Sequence, residues 1–327
     1  LQAYARGAQA QGADRQPPAA RALQGCGCRA GATIGPPSGG HVGCHLVIPM
    51  IRHHFTVDVE EYFQVSALER AVHREEWGRI ESRLAPTIDF LLELLERHGA
   101  RGTFFVLGWV AQRHPDLILA IARAGHEIAS HGWEHRRVTD QTPVAFREEV
   151  RRTKATLEAL TGQPVAGYRA PSFSIVRGRE WALDVLADEG YRYDSSLFPV
   201  RRPGGRYGYP GGKPDPHWLR RRGRRLAEVP PTTLPVLGMR LPAAGGAYFR
   251  LFPYCLTRAA LHTCEARGVP GTFYIHPWEL DPGQPRLDVP WTTRLRHYGG
   301  LDRTRNRLLS LLREFQFTTI ATTVATL

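Results

Sequence analysis

A mainly parallel β-sheet covered by helices is the fold class this sequence predicts, and three observations predict it. Short apolar, β-branched or aromatic runs alternate with helical runs from residue 50 onward. Proline opens several of the helical runs and glycine closes them. Asp58, His131, Arg169, Asp194 and His276 each stand where an apolar strand-like run ends. Polar residues recurring at strand ends imply a site on the carboxyl edge of the sheet.

The elements follow in order. His54-Phe-Thr-Val-Asp-Val-Glu-Glu-Tyr-Phe63 reads as a strand whose end carries Asp58, Glu60 and Glu61. Strand alternation sets Asp58 and Glu60 on one side. A helix runs from Pro86 to Gly99, a buried strand over 102–108, and a second helix from Pro115 to Ala124, closed by Gly125. Glu127–Ser130 is a short strand delivering His131. Helix 142–162, strand 165–168 with Arg169-Ala-Pro-Ser172 at its end, helix 179–189 and strand 191–197 complete this stretch. Residues 200–226 read as an irregular basic excursion containing the arginine run 220–225. Segments 227–234 and 246–252 read as extended, 257–267 as helical, 271–279 as a strand ending at His276, and 304–315 as a final helix before the β-branched segment 317–324.

Composition bounds the function. With 327 residues, 42% of them hydrophobic, the chain is long enough for one large α/β domain and is neither disordered nor fibrous. The net charge of +12 is carried almost wholly by arginine, Lys154 and Lys213 being the only lysines. That reads as a coding bias, and no nucleic-acid partner is expected. The functional alternative for the arginine run is peripheral contact with an anionic membrane or polymer.

Residues 1–49 are expected to be a disordered leader outside the native fold, with Met50 the native start. Residues 50–327 are expected to form one domain, with the basic excursion at 200–226 and a C-terminal extension at 280–327. Gly25-Cys-Gly-Cys-Arg-Ala30 imitates a dinucleotide fingerprint but follows no strand and opens no helix. Five cysteines in no framework pattern imply free thiols, and no signal or membrane-spanning run is found; a cytoplasmic, at most membrane-peripheral, enzyme is expected.

Ser130-His131-Gly132-Trp133-Glu134-His135 places two imidazoles at i and i+4, which on a helical turn share a face and can reach one metal ion. A catalytic metal site takes about three protein ligands and leaves a position open.

Taken together, Thr56-Val-Asp58-Val-Glu60, the His131/His135 segment, Arg169-Ala-Pro-Ser172, Tyr193-Asp194-Ser-Ser196 and Ile275-His276-Pro277 resemble the ordered motifs of the polysaccharide deacetylase family, the NodB-homology group or carbohydrate esterase family 4. Asp-Val-Glu-Glu-Tyr-Phe, Tyr-Phe-Arg-Leu-Phe-Pro-Tyr over 248–254 and His-Pro-Trp-Glu are similar to the subgroup associated with exosortase and PEP-CTERM loci. The resemblance spans about residues 50–320. It implies a distorted (β/α) barrel with fewer than eight strands, one divalent metal, and removal of N-acetyl groups from an N-acetylhexosamine polymer.

The same resemblance implies roles. Asp58 matches the general base, His131 and His135 the metal histidines, Arg169 the arginine orienting the base, Ser172 the backbone donor to the oxyanion, and His276 the general acid. The family's second aspartate, a metal ligand, is Val59 here; valine cannot bind metal, so Glu60 is the candidate third ligand and Glu61 the reserve. Asp194 is the candidate carboxylate keeping His276 protonated. Nitrogen and oxygen ligation suits zinc foremost, with cobalt, nickel or manganese as alternatives. Two rival readings stand beside this one: a carbohydrate-binding relative without catalysis, suggested by Val59, and a hydrolase of a small cyclic amide or ureide.

Overall fold

Strand β1 (Arg52–Val59) is the element around which the sheet is assembled in the computed structural model, which describes residues 50–201 and 207–327. The remaining strands are β2 (Thr103–Val106), β3 (Glu127–Ser130), β4 (Gly167–Tyr168), β5 (Tyr193–Asp194), β6 (His217–Arg221), β7 (Arg224–Glu228), β8 (Thr233–Val236), β9 (Met239–Pro242), β10 (Thr272–Ile275) and β11 (Gln316–Thr318). The helices are α1 (Leu84–Arg97), α2 (Gly108–Arg113), α3 (Pro115–Arg123), α4 (Pro143–Thr161), α5 (Trp181–Asp188), α6 (Gly246–Leu251), α7 (Tyr254–Ala266), α8 (Trp291–Tyr298), α9 (Leu301–Glu314) and α10 (Ile320–Val324). All the described residues fall within one unit, Pro49–Leu327. The leader expected over 1–49, with Cys26, Cys28 and Cys44, lies outside the described residues, as do residues 202–206 of the basic excursion.

The main sheet runs β10-β1-β2-β3-β4-β5-β7-β6, with β11 also paired to β1. Every pairing from β10 to β7 is parallel, and β6 is added antiparallel at one edge. The parallel path therefore holds seven strands, fewer than the eight of a closed (β/α) barrel, and the sheet stays open between β10 and β6.

The alternation along β1 decides what faces what. Phe55, Val57 and Val59 are wholly buried against α1 residues such as Ile88, Leu91 and Leu95 in the main core. His54, Thr56, Asp58 and Glu60 form the opposite row, also buried, and give the barrel a polar interior. Helix α10 closes that interior at the amino ends of the strands. Its Ile320 N–H donates to Thr103 Oγ1 (2.9 Å), its Ala321 N–H to Glu127 Oε2 (3.0 Å), and its Thr323 hydroxyl pairs with His54 Nε2 (2.7 Å). The β-branched run 317–324 is thus divided, the end of strand β11 followed by a plugging helix.

Two expectations need correction. The arginine run 220–225 is not irregular: it forms the β6–β7 hairpin, turning at Arg222 and Gly223, both at positive φ, the backbone of a tight two-residue hairpin turn. Segment 246–252 is not extended but forms α6. Its alternating aromatic pattern reads as strand, yet Arg250 turns inward and donates through Nη2 to the Arg296 carbonyl (2.8 Å) and through Nη1 to that of Gly299. Tertiary hydrogen bonding overrides local propensity here.

His54 is held neutral inside the sheet, burial first and the nearby His53 and Arg169 next, which together pull its pKa down to about 3. An unfolded histidine takes up a proton near pH 6.5. Between that pH and about 3 the unfolded chain therefore binds a proton that the folded chain refuses, and stability is lost as pH falls, by about 1.4 kcal/mol per pH unit. Urea unfolding of wild type and His54→Gln at a series of pH values should show a shallower acid slope in the variant by one proton.

Candidate active site

The polar row of β1 emerges at the carboxyl edge of the sheet into a cleft of about 650 Å³. Asp58, Glu60, His131, His135, Ser172 and His276 all line it. Arg169 lies directly beneath, wholly buried, and Asp194 and Glu61 stand elsewhere.

Glu60, His131 and His135 converge, one ligand atom from each lying within 4.8 Å of the others. The groups that hold these side chains fit a cation. His131 Nδ1 stands 2.9 Å from the Arg169 carbonyl, which can only accept, so Nδ1 carries the proton and Nε2 presents its lone pair. Burial leads the effects that lower the His131 pKa to about 4, keeping the ring neutral. Trp278 Nε1 donates to Glu60 Oε1 (3.3 Å), which turns Oε2 toward His135 Nε2 at 2.8 Å. Glu60 Oε2 is buried, and the His135 imidazole is the group it faces. Two imidazole nitrogens and a carboxylate in that arrangement suit zinc or a similar divalent ion.

The Glu60 pKa reflects opposing effects: burial would raise it, but His135 and His276 hold it down to about 2. Glu61 points away. Its Oε2 accepts from Arg83 N–H (3.2 Å), and burial foremost raises its carboxyl to about 7. The reserve ligand is therefore not at the cluster.

The histidine segment is not helical. It is a loop with Gly132 at φ +79° and His135 at φ 52°, so the four-residue spacing works through left-handed backbone. Gly108 and Trp109 of α2 donate backbone N–H groups to the carbonyls of Gly132 (2.9 Å) and Trp133 (3.1 Å). Glu149 of α4 accepts from Trp133 N–H (2.8 Å), and a Cβ on Gly132 would lie 2.5 Å from that same carboxylate. Trp133 is packed on Gly108 and beneath Arg152, not offered to the cleft. Ser172 (φ 54°) and Phe173 (φ 51°) are also left-handed, so three of the five described non-glycine residues with positive φ line the cleft. Strain concentrated in this way accords with a functional site.

The charged residues are tightly arranged. Arg169 Nη1 donates to Asp58 Oδ1 (2.7 Å) and Thr56 Oγ1 (2.8 Å), and Nη2 to Ser195 Oγ (2.9 Å). Asp58 Oδ2 is left facing His276 Nε2 at 3.8 Å. The residue beside His276 is Glu279, not Asp194: His276 Nδ1 pairs with Glu279 Oε1 at 2.7 Å. Asp194 instead accepts from Ser196 Oγ (2.6 Å) and N–H (3.1 Å), and its carboxylate neighbour is Glu228. Although burial opposes it, the carboxylates of Glu60, Glu279 and Asp58 raise the His276 pKa to about 9.

Sequence reasoning also missed Trp278, Arg250 and Tyr274, which wall the cleft. Glu279 had a legible signal. Pro277 opens a single turn after His276, and a turn of that kind returns the third residue onto the first. Trp133 and Trp278 are buried, whereas Trp291 is 74% exposed.

Residues 85–193 match the family model described as Polysaccharide deacetylase, and residues 195–325 that described as Domain of unknown function (DUF3473). Asp58 and Glu60 precede both matches, the two histidines fall in the first, and His276 with Glu279 in the second. The peptidoglycan-N-acetylglucosamine deacetylase of Bacillus cereus is 28% identical over 103 residues, 30% of this chain and 38% of its own length. The chitooligosaccharide deacetylase of Rhizobium leguminosarum bv. trifolii is 31% identical over 97 residues, 30% of this chain and 42% of its own length. This chain thus spans about two fifths of the length of these curated relatives. Two solved structures share the fold. One, from Mycobacterium smegmatis, is provisionally assigned as a polysaccharide deacetylase, with TM-score 0.57 and 21% identity over 85% of this chain and 91% of that one. The other is the Puue allantoinase, with TM-score 0.51 and 19% identity over 84% and 89%.

The Glu279 contact predicts a measurable change. Glu279→Gln removes one of the carboxylates that favour the His276 cation, so the imidazole titration followed by NMR should move to lower pH. An unchanged titration would refute the pairing.

Proposed function

We propose, for a chain whose membership of the polysaccharide deacetylase family is supported by its family model and curated relatives, that it is a metal-dependent N-deacetylase of N-acetylhexosamine polymers. The observation that carries this reading is the meeting in one cleft of three groups: a two-histidine, one-carboxylate cluster, an arginine-anchored aspartate and a carboxylate-paired histidine. The motifs shared with the exosortase and PEP-CTERM subgroup support a role in exopolysaccharide production.

Glu60, His131 and His135 would hold a divalent ion, whose Lewis acidity would lower the pKa of water and polarise a carbonyl. Asp58 takes the proton of the attacking water. Arg169 occupies its Oδ1 and fixes the carboxylate plane, leaving Oδ2 as the accepting atom. The backbone N–H of Ser172, on the left-handed turn at the cleft wall, is assigned to the oxyanion. His276 gives its Nε2 proton to the amine as the carbon–nitrogen bond breaks, with Glu279 on Nδ1 holding the ring in orientation and charge. The products are acetate and a free amine on the sugar. Asp194 acts indirectly, by holding the loop that carries Ser195 and Ser196.

Phe173, Tyr207, Tyr248 and Tyr274 supply an aromatic wall suited to sugar rings. Among the described residues no helix is long and apolar enough to cross a membrane.

Acetate release from N-acetylglucosamine oligomers tests the activity. Wild type should release acetate, a chelator should abolish release, and Asp58→Asn should lower it about 10²-fold or more. Binding of oligomers without release would favour a carbohydrate-binding relative, and hydrolysis of allantoin but not of oligomers a cyclic-ureide hydrolase. Metal analysis separates the carboxylates. Glu60→Ala should lose stoichiometric metal and Glu61→Ala retain it; retention by both would refute the ligand set.

A further inference from the structure

We propose that the outer face of α8, with the end of α6, is a docking surface for an anionic lipid bilayer. Trp291 and Leu295 lie four residues apart, hence on one face of α8, and are 74% and 54% exposed. Leu251 and Phe252, at the end of α6, are 39% and 36% exposed. The two groups adjoin. Gly299 closes α8, and a Cβ placed on it would lie 2.7 Å from Leu251 Cδ2 and 2.4 Å from the Leu295 carbonyl. Buried Arg250 fastens the two helices together through the carbonyls of Arg296 and Gly299. Four of the nine large apolar side chains exposed among the described residues therefore gather at one place.

Charge and area identify the occupant. Residues 284–307 contain six arginines against two aspartates. Arg286, Arg294, Arg296 and Arg303 are exposed, and the whole chain carries +12. An exposed tryptophan one turn from Arg294 and Leu295 on a helix rich in arginine fits the headgroup level of a bilayer, the indole at the boundary and the guanidinium groups on the phosphates. A second copy of the chain is a poorer fit, since four part-exposed side chains fall well short of the roughly 800 Å² per partner of a stable dimer.

The same helix meets the cleft. Arg296 and His297 of α8, and Tyr248 and Arg250 of α6, line it, so a bilayer on this face sets the membrane surface at its rim. On the proposed deacetylase reading, the preferred substrate is then a polymer carried at the membrane by a lipid. Membrane binding is read separately from hydrolysis, so either idea can fail alone.

The full chain is sedimented with vesicles of phosphatidylcholine, alone or mixed with phosphatidylglycerol. Wild type should co-sediment with the mixed vesicles, less at raised salt, and the Trp291→Ser, Leu295→Glu double variant should lose about tenfold or more of that partitioning. Neither residue lines the cleft, so acetate release from soluble oligomers and the melting temperature should be unchanged. Arg294→Gln should weaken binding in the same direction. Failure of wild type to bind mixed vesicles, or undiminished binding by the double variant, would overturn the proposal. So would a wild-type dimer that the double variant converts to monomer.

Discussion

The Arg169 guanidinium is the constraint on which the site depends. It is wholly buried at the centre of the barrel, where an uncompensated cation is very costly to keep. The sequence compensates it completely. Thr56 and Asp58 come from β1, Ser195 from the end of β5, and the Phe105 ring lies 4.1 Å from the guanidinium carbon. The Arg169 carbonyl meanwhile orients His131. One residue thus fixes the proposed base and one proposed metal ligand relative to three strands, and removing a partner from such a pair typically costs about 3–5 kcal/mol. The planar fork explains why lysine is a poor substitute: it must serve four acceptors at set angles.

A second buried polar unit supports the first. Burial, and then Asp194, push the Glu228 carboxyl well above its usual range, so the two acids sit together without two full negative charges. Glu228 accepts from Leu197 N–H (3.0 Å), Asp194 from Ser196, and Ser196 Oγ from Ala170 N–H (2.8 Å). The loop after β5 is thereby tied to the residue that follows Arg169. Asp194 is therefore important for a reason that strand-end reasoning does not supply: it sets the place of the arginine's support.

How much was legible follows from which residues answer to local rules. The alternation of β1, the capped helices α3 and α4 and the delivery of Asp58, His131, Arg169 and His276 to one edge all follow from period and punctuation. The misreadings arise where distant contacts decide. Helix α6 is set by Arg250 reaching α8, and α10 by hydrogen bonds to β1, β2 and β3. The Asp194 expectation failed because strand-end position says which edge a side chain reaches, not which neighbour it meets across the sheet. Glu279 lay in plain view three residues after His276, but its partner is known only once the turn is built.

Val59, which the motif resemblance sets at a carboxylate position, is placed for a structural reason. Val59 is the last residue of β1, packs in the apolar core between sheet and helices, and belongs to the face opposite Asp58. Glu60 lies one step on, where its N–H already turns back to the Asp58 carbonyl (3.1 Å) and the strand has ended. A glutamate at that turn falls on the Asp58 side, and its extra methylene gives it reach. Its two oxygens diverge, Oε2 toward His135 at 2.8 Å and Oε1 toward Trp278 and, at 3.5 Å, His276. On the proposed ligand set the substitution couples the metal cluster to the proton donor through one carboxylate, while valine returns the strand's last position to the core.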